Sequence, residues 1–210
     1  VHIAQWGTFI TTKDVSAASA TVGLELKIEN RSGSDQKIEL VTEVFLWDHK
    51  AGKPGMKAGV FPRSVITAAA GKKTSSASSL TLVKPYLWGP APAQKPYLYV
   101  AITKIFIEGK QVDQYQTIFG IRSLQFDPIK GLLVNNKPVR FQGVNQHHDL
   151  GALGAAFNTR AAERQLEILA EMGCNAIRMA HNPPAPELLD LADRMGFLVM
   201  DEFFDCWTKG

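Results

Sequence analysis

Three short polar clusters interrupt otherwise apolar stretches in the last third of the chain: His147-His148-Asp149, then Arg178, His181 and Asn182, then Asp201-Glu202. An imidazole donates to one oxygen and accepts from another, while a guanidinium is a fixed cation that keeps a neighbouring carboxylate ionised. His147, His148, Asp149 and His181 are also of metal-ligating type. Adjacent residues seldom converge on one ion, however, and no i, i+4 histidine pair on a helix joins them, so no metal site is expected. Asp201 and Glu202 are neighbours on a strand and point to opposite faces, which suits them to orienting other groups at a site rather than to acting as a catalytic pair.

The clusters share a place in the local pattern. A strand over 139–145 runs into the first. From Thr159 the period becomes helical, with Ala162, Leu166, Leu169 and Met172 on one stripe and Gly173 where a left-handed cap belongs. A strand over 175–181 carries the second cluster. A helix then starts near Pro186, turns Leu188, Leu191, Ala192 and Met195 inward and stops at Gly196, and a strand over 197–202 ends in the third cluster. Strand, helix, strand, helix, strand with short links predicts right-handed crossovers and a parallel sheet. Pattern alone leaves open a doubly wound sheet or a closed barrel. Polar clusters at every carboxyl end favour a TIM (β/α)8 barrel, and no Gly-rich phosphate loop follows the first strand. Three strands of eight leave an edge unpaired, so the sequence predicts a truncated barrel, one piece of a larger enzyme, whose open edge promotes association into oligomers.

The earlier part is written in period two. Val22, Leu24, Leu26 and Ile28 alternate with Gly23, Glu25, Lys27 and Glu29; 37–48 repeats the rhythm with Ile38, Leu40, Val44 and Leu46, and 97–107 and 112–119 are further β-rich runs. Turn signals separate them, among them Asn30-Arg31-Ser32-Gly33-Ser34 and Glu108-Gly109-Lys110. This predicts an immunoglobulin-like antiparallel β-sandwich over residues 1–126, followed over 127–210 by the start of the barrel and opened by a hairpin around Asn135-Asn136-Lys137. Trp6, Trp47 and Trp88 are assigned to the sandwich core or its edges.

Composition narrows the partners. The 23 basic and 20 acidic side chains are spread along the chain rather than gathered into a block that could neutralise phosphates, so nucleic acid is not expected. No apolar run approaches the ~20 residues that span a bilayer, and the start VHIAQWGTFI lacks a signal-peptide pattern and reads as a cut within a longer protein. A soluble chain with no membrane partner is expected, its compartment open. Cys174 and Cys206 are read as free thiols.

Taken together, several segments resemble glycoside hydrolase family 2, the family of β-galactosidases, β-glucuronidases and β-mannosidases. Leu87-Trp88-Gly89-Pro90 with Pro96-Tyr97-Leu98-Tyr99, and Phe119-Gly120-Ile121-Arg122, are similar to signatures of its sandwich domain. Gln142-Gly143-Val144-Asn145-Gln146-His147, Asn175-Ala176-Ile177-Arg178-Met179-Ala180-His181-Asn182-Pro183, and Asp193 through Glu202 are similar to its first three barrel strands.

The resemblance implies a retaining exo-β-glycosidase. Such enzymes use two carboxyl groups about 5–5.5 Å apart, an acid/base and a nucleophile. In the family both come from later strands, the acid/base within an Asn-Glu pair, and no Asn-Glu dipeptide occurs here. No catalytic residue is therefore expected in the chain, and it is expected to be inactive alone. By resemblance Arg178 supports the nucleophile, and His147 and His181 contact sugar hydroxyls. Asn182 stands where the family more often has Tyr, and Ala180 where Ser is usual. Asp149 and His148 either reach the sugar or shape the loop. No cofactor is expected: some members hold magnesium just after the third strand, but Phe203-Phe204-Asp205-Cys206-Trp207 does not match that pattern. Trp207 suggests a sugar-stacking platform, whereas Phe203 and Phe204 suggest core packing. The implied partners are a β-linked glycoside or oligosaccharide and the rest of a parent chain. A β-galactosidase is the first reading, since residues 147–157 contain no Lys or Arg for a sugar carboxylate; β-glucuronidase or β-mannosidase is the alternative, and a non-catalytic carbohydrate-binding or scaffold module is the alternative of another class.

Overall fold

The computed structural model describes residues 1–203 and divides into two compact units, Val1–Leu87 with Tyr97–Ser123, and Trp88–Pro96 with Leu124–Gly210. The first is an antiparallel sandwich. Strands β1 (His2–Lys13), β2 (Ser19–Glu29) and β6 (Lys73–Val83) form one sheet in the order β1-β2-β6. The other has the order β4-β3-β7-β8, built from β3 (Gln36–Asp48), β4 (Lys53–Val60), β7 (Leu98–Ile107) and β8 (Lys110–Gly120), with β5 (Ser64–Ala68) also paired to β3. The alternation of β2 is realised fully: Ala20, Val22, Leu24, Leu26 and Ile28 are buried and join Ile38, Leu40, Val44, Tyr99 and Ile105 from the facing sheet in one core. Thr42 sits on the same face of β3 as those aliphatics. Its hydroxyl meets that of its register partner Thr103 at 2.9 Å, so neither is left unpaired on burial. Asn30 is also fully buried; its Nδ2 donates to the Ser34 and Ala68 carbonyls while its Oδ1 accepts from the Ser32 amide and hydroxyl, which fixes the turn between β2 and β3.

The second unit begins with a meander of β9 (Leu124–Asp127), β10 (Gly131–Val134) and β11 (Lys137–Pro138). The turn expected around Asn135 is present, with Asn135 and Asn136 both at positive φ, the pairing that a two-residue hairpin of matching twist requires. The parallel sheet follows as β12 (Gly143–Gln146), β13 (Ala176–Met179) and β14 (Leu198–Met200), each shorter than the sequence pattern implied. Helix α1 (Thr159–Glu171) lies between β12 and β13, capped by Asn158, whose Oδ1 accepts from the Ala161 amide at 3.0 Å. Helix α2 (Pro186–Met195) lies between β13 and β14 and ends in the left-handed Gly196. Ala162, Leu166, Leu188, Leu191 and Ala192 from the helices pack on Ile177 and Met179. Met172 does not complete the α1 stripe: it is the C-cap residue and is 69% exposed.

A second correction concerns Trp88. Expected in the sandwich, it is 1% exposed and makes its contacts within the second unit, where Nε1 donates to the Asp193 carbonyl at 2.7 Å and its own carbonyl accepts from Asn135 Nδ2. Thus a segment inside the span 1–126 is grouped with the second unit. Ala91 completes the attachment by donating to the Gly196 carbonyl, and a Cβ at Gly196 would lie 2.7 Å from the Ala91 nitrogen, so glycine is required there by space as well as by φ. Trp6, by contrast, is 71% exposed on β1. Among the described residues no helix is long and apolar enough to cross a membrane.

Candidate active site

The parallel register sets the site. Asn145 pairs with Arg178, and Arg178 with Met200. Period two sends Ile177 and Met179 into the helix-packed core and turns Arg178 to the opposite, inner face of the sheet. Gly143 lets β12 approach closely, because a Cβ there would collide with the Ala176 carbonyl oxygen. On the inner face an open hollow of about 340 Å³ is lined by Phe141, Asn145, Arg178, Leu198 and Met200, among others.

Arg178 is the hub of this face. Its Nε donates to Glu202 Oε1 at 3.1 Å, its Nη2 donates to the same oxygen, and its Nη1 donates to Asn145 Oδ1 at 2.9 Å. Three of the five guanidinium N–H groups are engaged by these bonds, leaving two for a further acceptor. The second oxygen of Glu202 lies 3.5 Å from His181 Nδ1, and the His181 ring meets that of His147 edge-on with centroids 5.5 Å apart. The structure therefore brings His147, Arg178 and His181 together at the carboxyl ends of two adjacent strands, β12 and β13. The Ala180-His181 peptide that leads the chain off β13 is cis.

The other expected residues fall differently. Asn182 is exposed beside His181. Asp149 shapes its loop: Oδ1 accepts from the Gly151 amide at 2.8 Å and its own amide donates to the His147 carbonyl. His148 Nε2 donates to the Pro183 carbonyl at 3.1 Å, tying the loop after β12 to the loop after β13. Asp201 is exposed, whereas Glu202 orients both Arg178 and His181. Asn145 was not singled out from the sequence, although its place two residues before His147, level with Arg178, is the signal that would have found it. Gln146 and Gln165 were missed as well; their side chains join at 2.6 Å behind the histidines. Cys174 is a free thiol against the second core. Phe204, Asp205, Cys206 and Trp207 lie outside the described residues. Among the described residues no three His, Cys, Asp or Glu side chains gather to hold a metal ion.

The family model described as "Glycosyl hydrolases family 2" matches residues 1–122, and that described as "Glycosyl hydrolases family 2, TIM barrel domain" matches residues 128–206. Beta-galactosidase BoGH2A of Bacteroides ovatus is 43% identical over 209 residues, covering 100% of this chain and 23% of the relative. A beta-glucuronidase of Bacteroides fragilis is 29% identical over 196 residues, 93% of this chain and 27% of the relative. Among solved structures, a glycosyl hydrolase family 2 member from Bacteroides cellulosilyticus superposes with a TM-score of 0.88 at 33% identity, over 98% of this chain and 27% of that one. The Bacteroides uniformis beta-glucuronidase gives 0.86 at 26% identity, over 96% and 24%. The chain thus spans about a quarter of the length of the proteins it matches.

Proposed function

Since the chain belongs to glycosyl hydrolases family 2, we propose that it supplies the sandwich and the first three strands of the catalytic barrel to a retaining exo-β-glycosidase, with β-galactosides as substrates. The observation that carries this reading is the linked set Asn145, Arg178, Glu202, His181 and His147 at one end of a parallel sheet. Arg178 is held rigidly by two acceptors and keeps two N–H groups for a carboxylate brought in by later strands, which would stay ionised and nucleophilic beside it. His147 and His181 sit next to that point and are suited to reading sugar hydroxyls, His181 positioned by Glu202. Asn182 and Asp149 border the same mouth. The two catalytic carboxyl groups belong to sequence outside these residues, and the 210 residues alone do not turn over glycosides.

The choice of a neutral sugar rests on the 43% identity to a β-galactosidase and on the absence of any Lys or Arg from residues 147–157. β-Glucuronidases among the relatives favour the second reading, in which cations elsewhere bind the sugar carboxylate. Assay of the intact protein against nitrophenyl β-galactoside, β-glucuronide and β-mannoside separates them. Galactoside turnover at least about ten-fold faster than the others is expected; faster glucuronide turnover would favour the second reading, and no turnover of any glycoside would favour a non-catalytic module.

A further inference from the structure

The loop that leaves β12 carries His147 on a stretch with little apolar hold. Residues 147–149 and 151–158 are exposed, Gly151 and Gly154 stand at positive φ, and Leu150 packs, half-buried, against the second core. A loop so exposed is placed by its polar bonds more than by burial. Two of those bonds come from one side chain of α1. Gln165 Nε2 donates to the Asp149 carbonyl at 3.2 Å, and Gln165 Oε1 accepts from Gln146 Nε2 at 2.6 Å. Gln165 therefore grips the chain one residue before and two residues after His147. Gln146 is joined in turn to the neighbouring strand: its carbonyl accepts from the Ala180 amide at 3.0 Å, immediately ahead of His181. The two imidazoles, 5.5 Å apart ring to ring, thus follow directly on two residues that are bonded to each other, one of them also to α1.

The pair is not the most stable choice for its place. The Asp149 carbonyl can only accept, so Gln165 turns its amide nitrogen there and its oxygen to Gln146. Gln146 must then donate, and its own Oε1 is left buried without a hydrogen-bond partner among the described residues. An unsatisfied buried acceptor destabilises, whereas two apolar side chains of similar length would leave none; the bond to the Asp149 carbonyl lies at an exposed position, where water can replace the amide. A polar pair that is kept although it lowers stability, and that is aimed at one residue of the site, is explained by placement. We propose that Gln165 is a positioning residue: acting through Gln146 and the Asp149 carbonyl, it fixes where His147 stands against the glycoside. The effect on turnover rests on the function proposed above; the grip on the loop does not.

The test uses the intact protein with Gln146→Met and Gln165→Met combined, which keeps side-chain length and removes both bonds. Amide hydrogen exchange over residues 147–154 is expected to quicken about ten-fold in Q146M/Q165M, with residues 176–179 of β13 unchanged. Equal exchange in the two proteins, or a quickening that extends equally to β13, overturns the proposal. In the kinetic arm, on the nitrophenyl glycoside that the parent turns over fastest, kcat/KM is expected to fall about ten-fold in Q146M/Q165M. On a His147→Ala background the same two changes are expected to lower it by no more than about two-fold, because a residue that acts through His147 then has nothing to act on. An equal fall in both backgrounds, or no fall in either, overturns the proposal. If the parent hydrolyses no glycoside, the glycosidase reading fails and the exchange measurement alone decides the grip on the loop. Should Q146M/Q165M lose its cooperative melting transition, Gln165→Glu replaces it with the same expectations, since a carboxylate still accepts from Gln146 but cannot donate to the Asp149 carbonyl.

Discussion

Arg178 holds Glu202 with two of its nitrogens on a single carboxylate oxygen, and the other oxygen of Glu202 faces His181. One acid thereby fixes both the cation and an imidazole of the site. The side chains are about a third exposed, so the pair adds little to stability, roughly 0–1 kcal/mol, and its importance is geometric. Arg178→Lys keeps the charge but loses the fork, and is expected to lower kcat of the intact protein about 10²-fold with a melting temperature close to the parent's. Parent-like kcat in R178K would show that the fork is idle.

The edge-on contact of His147 and His181 predicts coupling. Each single alanine variant is expected to reduce kcat/KM about ten-fold, and the double variant to lose less than the product of the two, because neighbours that serve one group do not act independently. Strict additivity across the cycle would mean that they contact different parts of the substrate.

Thr42 and Thr103 allow a stability test away from the site. Thr42→Val strands the Thr103 hydroxyl in the core and is expected to cost about 1–3 kcal/mol in urea unfolding, whereas T42V with T103V removes both polar groups and is expected to fall near the parent. A double variant as unstable as the single one would contradict the account.

Acid sensitivity follows from turn carboxylates. The Lys130 and Ile129 amides donate to Asp127, and those of Ala51 and Lys50 to Asp48, which holds both carboxyls below their ordinary range although burial opposes the shift. A carboxyl whose folded pKa is depressed contributes stability above its unfolded pKa and loses it as pH falls through the folded value. D48N and D127N are therefore expected to melt below the parent at neutral pH, with the gap closing below about pH 4. A gap that does not narrow between pH 7 and pH 3 would assign the effect to shape rather than charge.

The parts of the fold legible in the sequence are those where one face is apolar and the other is not. Strand β2 and helix α2 follow their patterns residue for residue, down to the glycine that ends α2. Strands β4 and β6 were not resolved by reading: KPGMKAGV carries a proline and two glycines, and KTSSASSLTLV buries only Leu82 fully, so neither has an apolar rhythm to detect. At the candidate site, His147, Arg178 and His181 could be singled out because they belong to recognisable segments. Asn145 took its place from the parallel register, which brings a residue 33 positions away to Arg178; Glu202 was expected to orient other groups, but that these are Arg178 and His181 cannot be read before the strands are aligned. Trp88 was misplaced for a related reason. A buried tryptophan between two β-rich runs gives no sign, along the sequence, that its partners lie at Asn135 and Asp193.

That excursion of the chain bears on how such proteins are exchanged between genes. Because the indole that caps the last turn of α2 is encoded ahead of β7, the barrel unit has no contiguous coding segment. A recombination event at codon 124 would transplant a barrel stripped of Trp88 and of the Ala91 amide on Gly196, so the two units are expected to be inherited jointly rather than shuffled as cassettes.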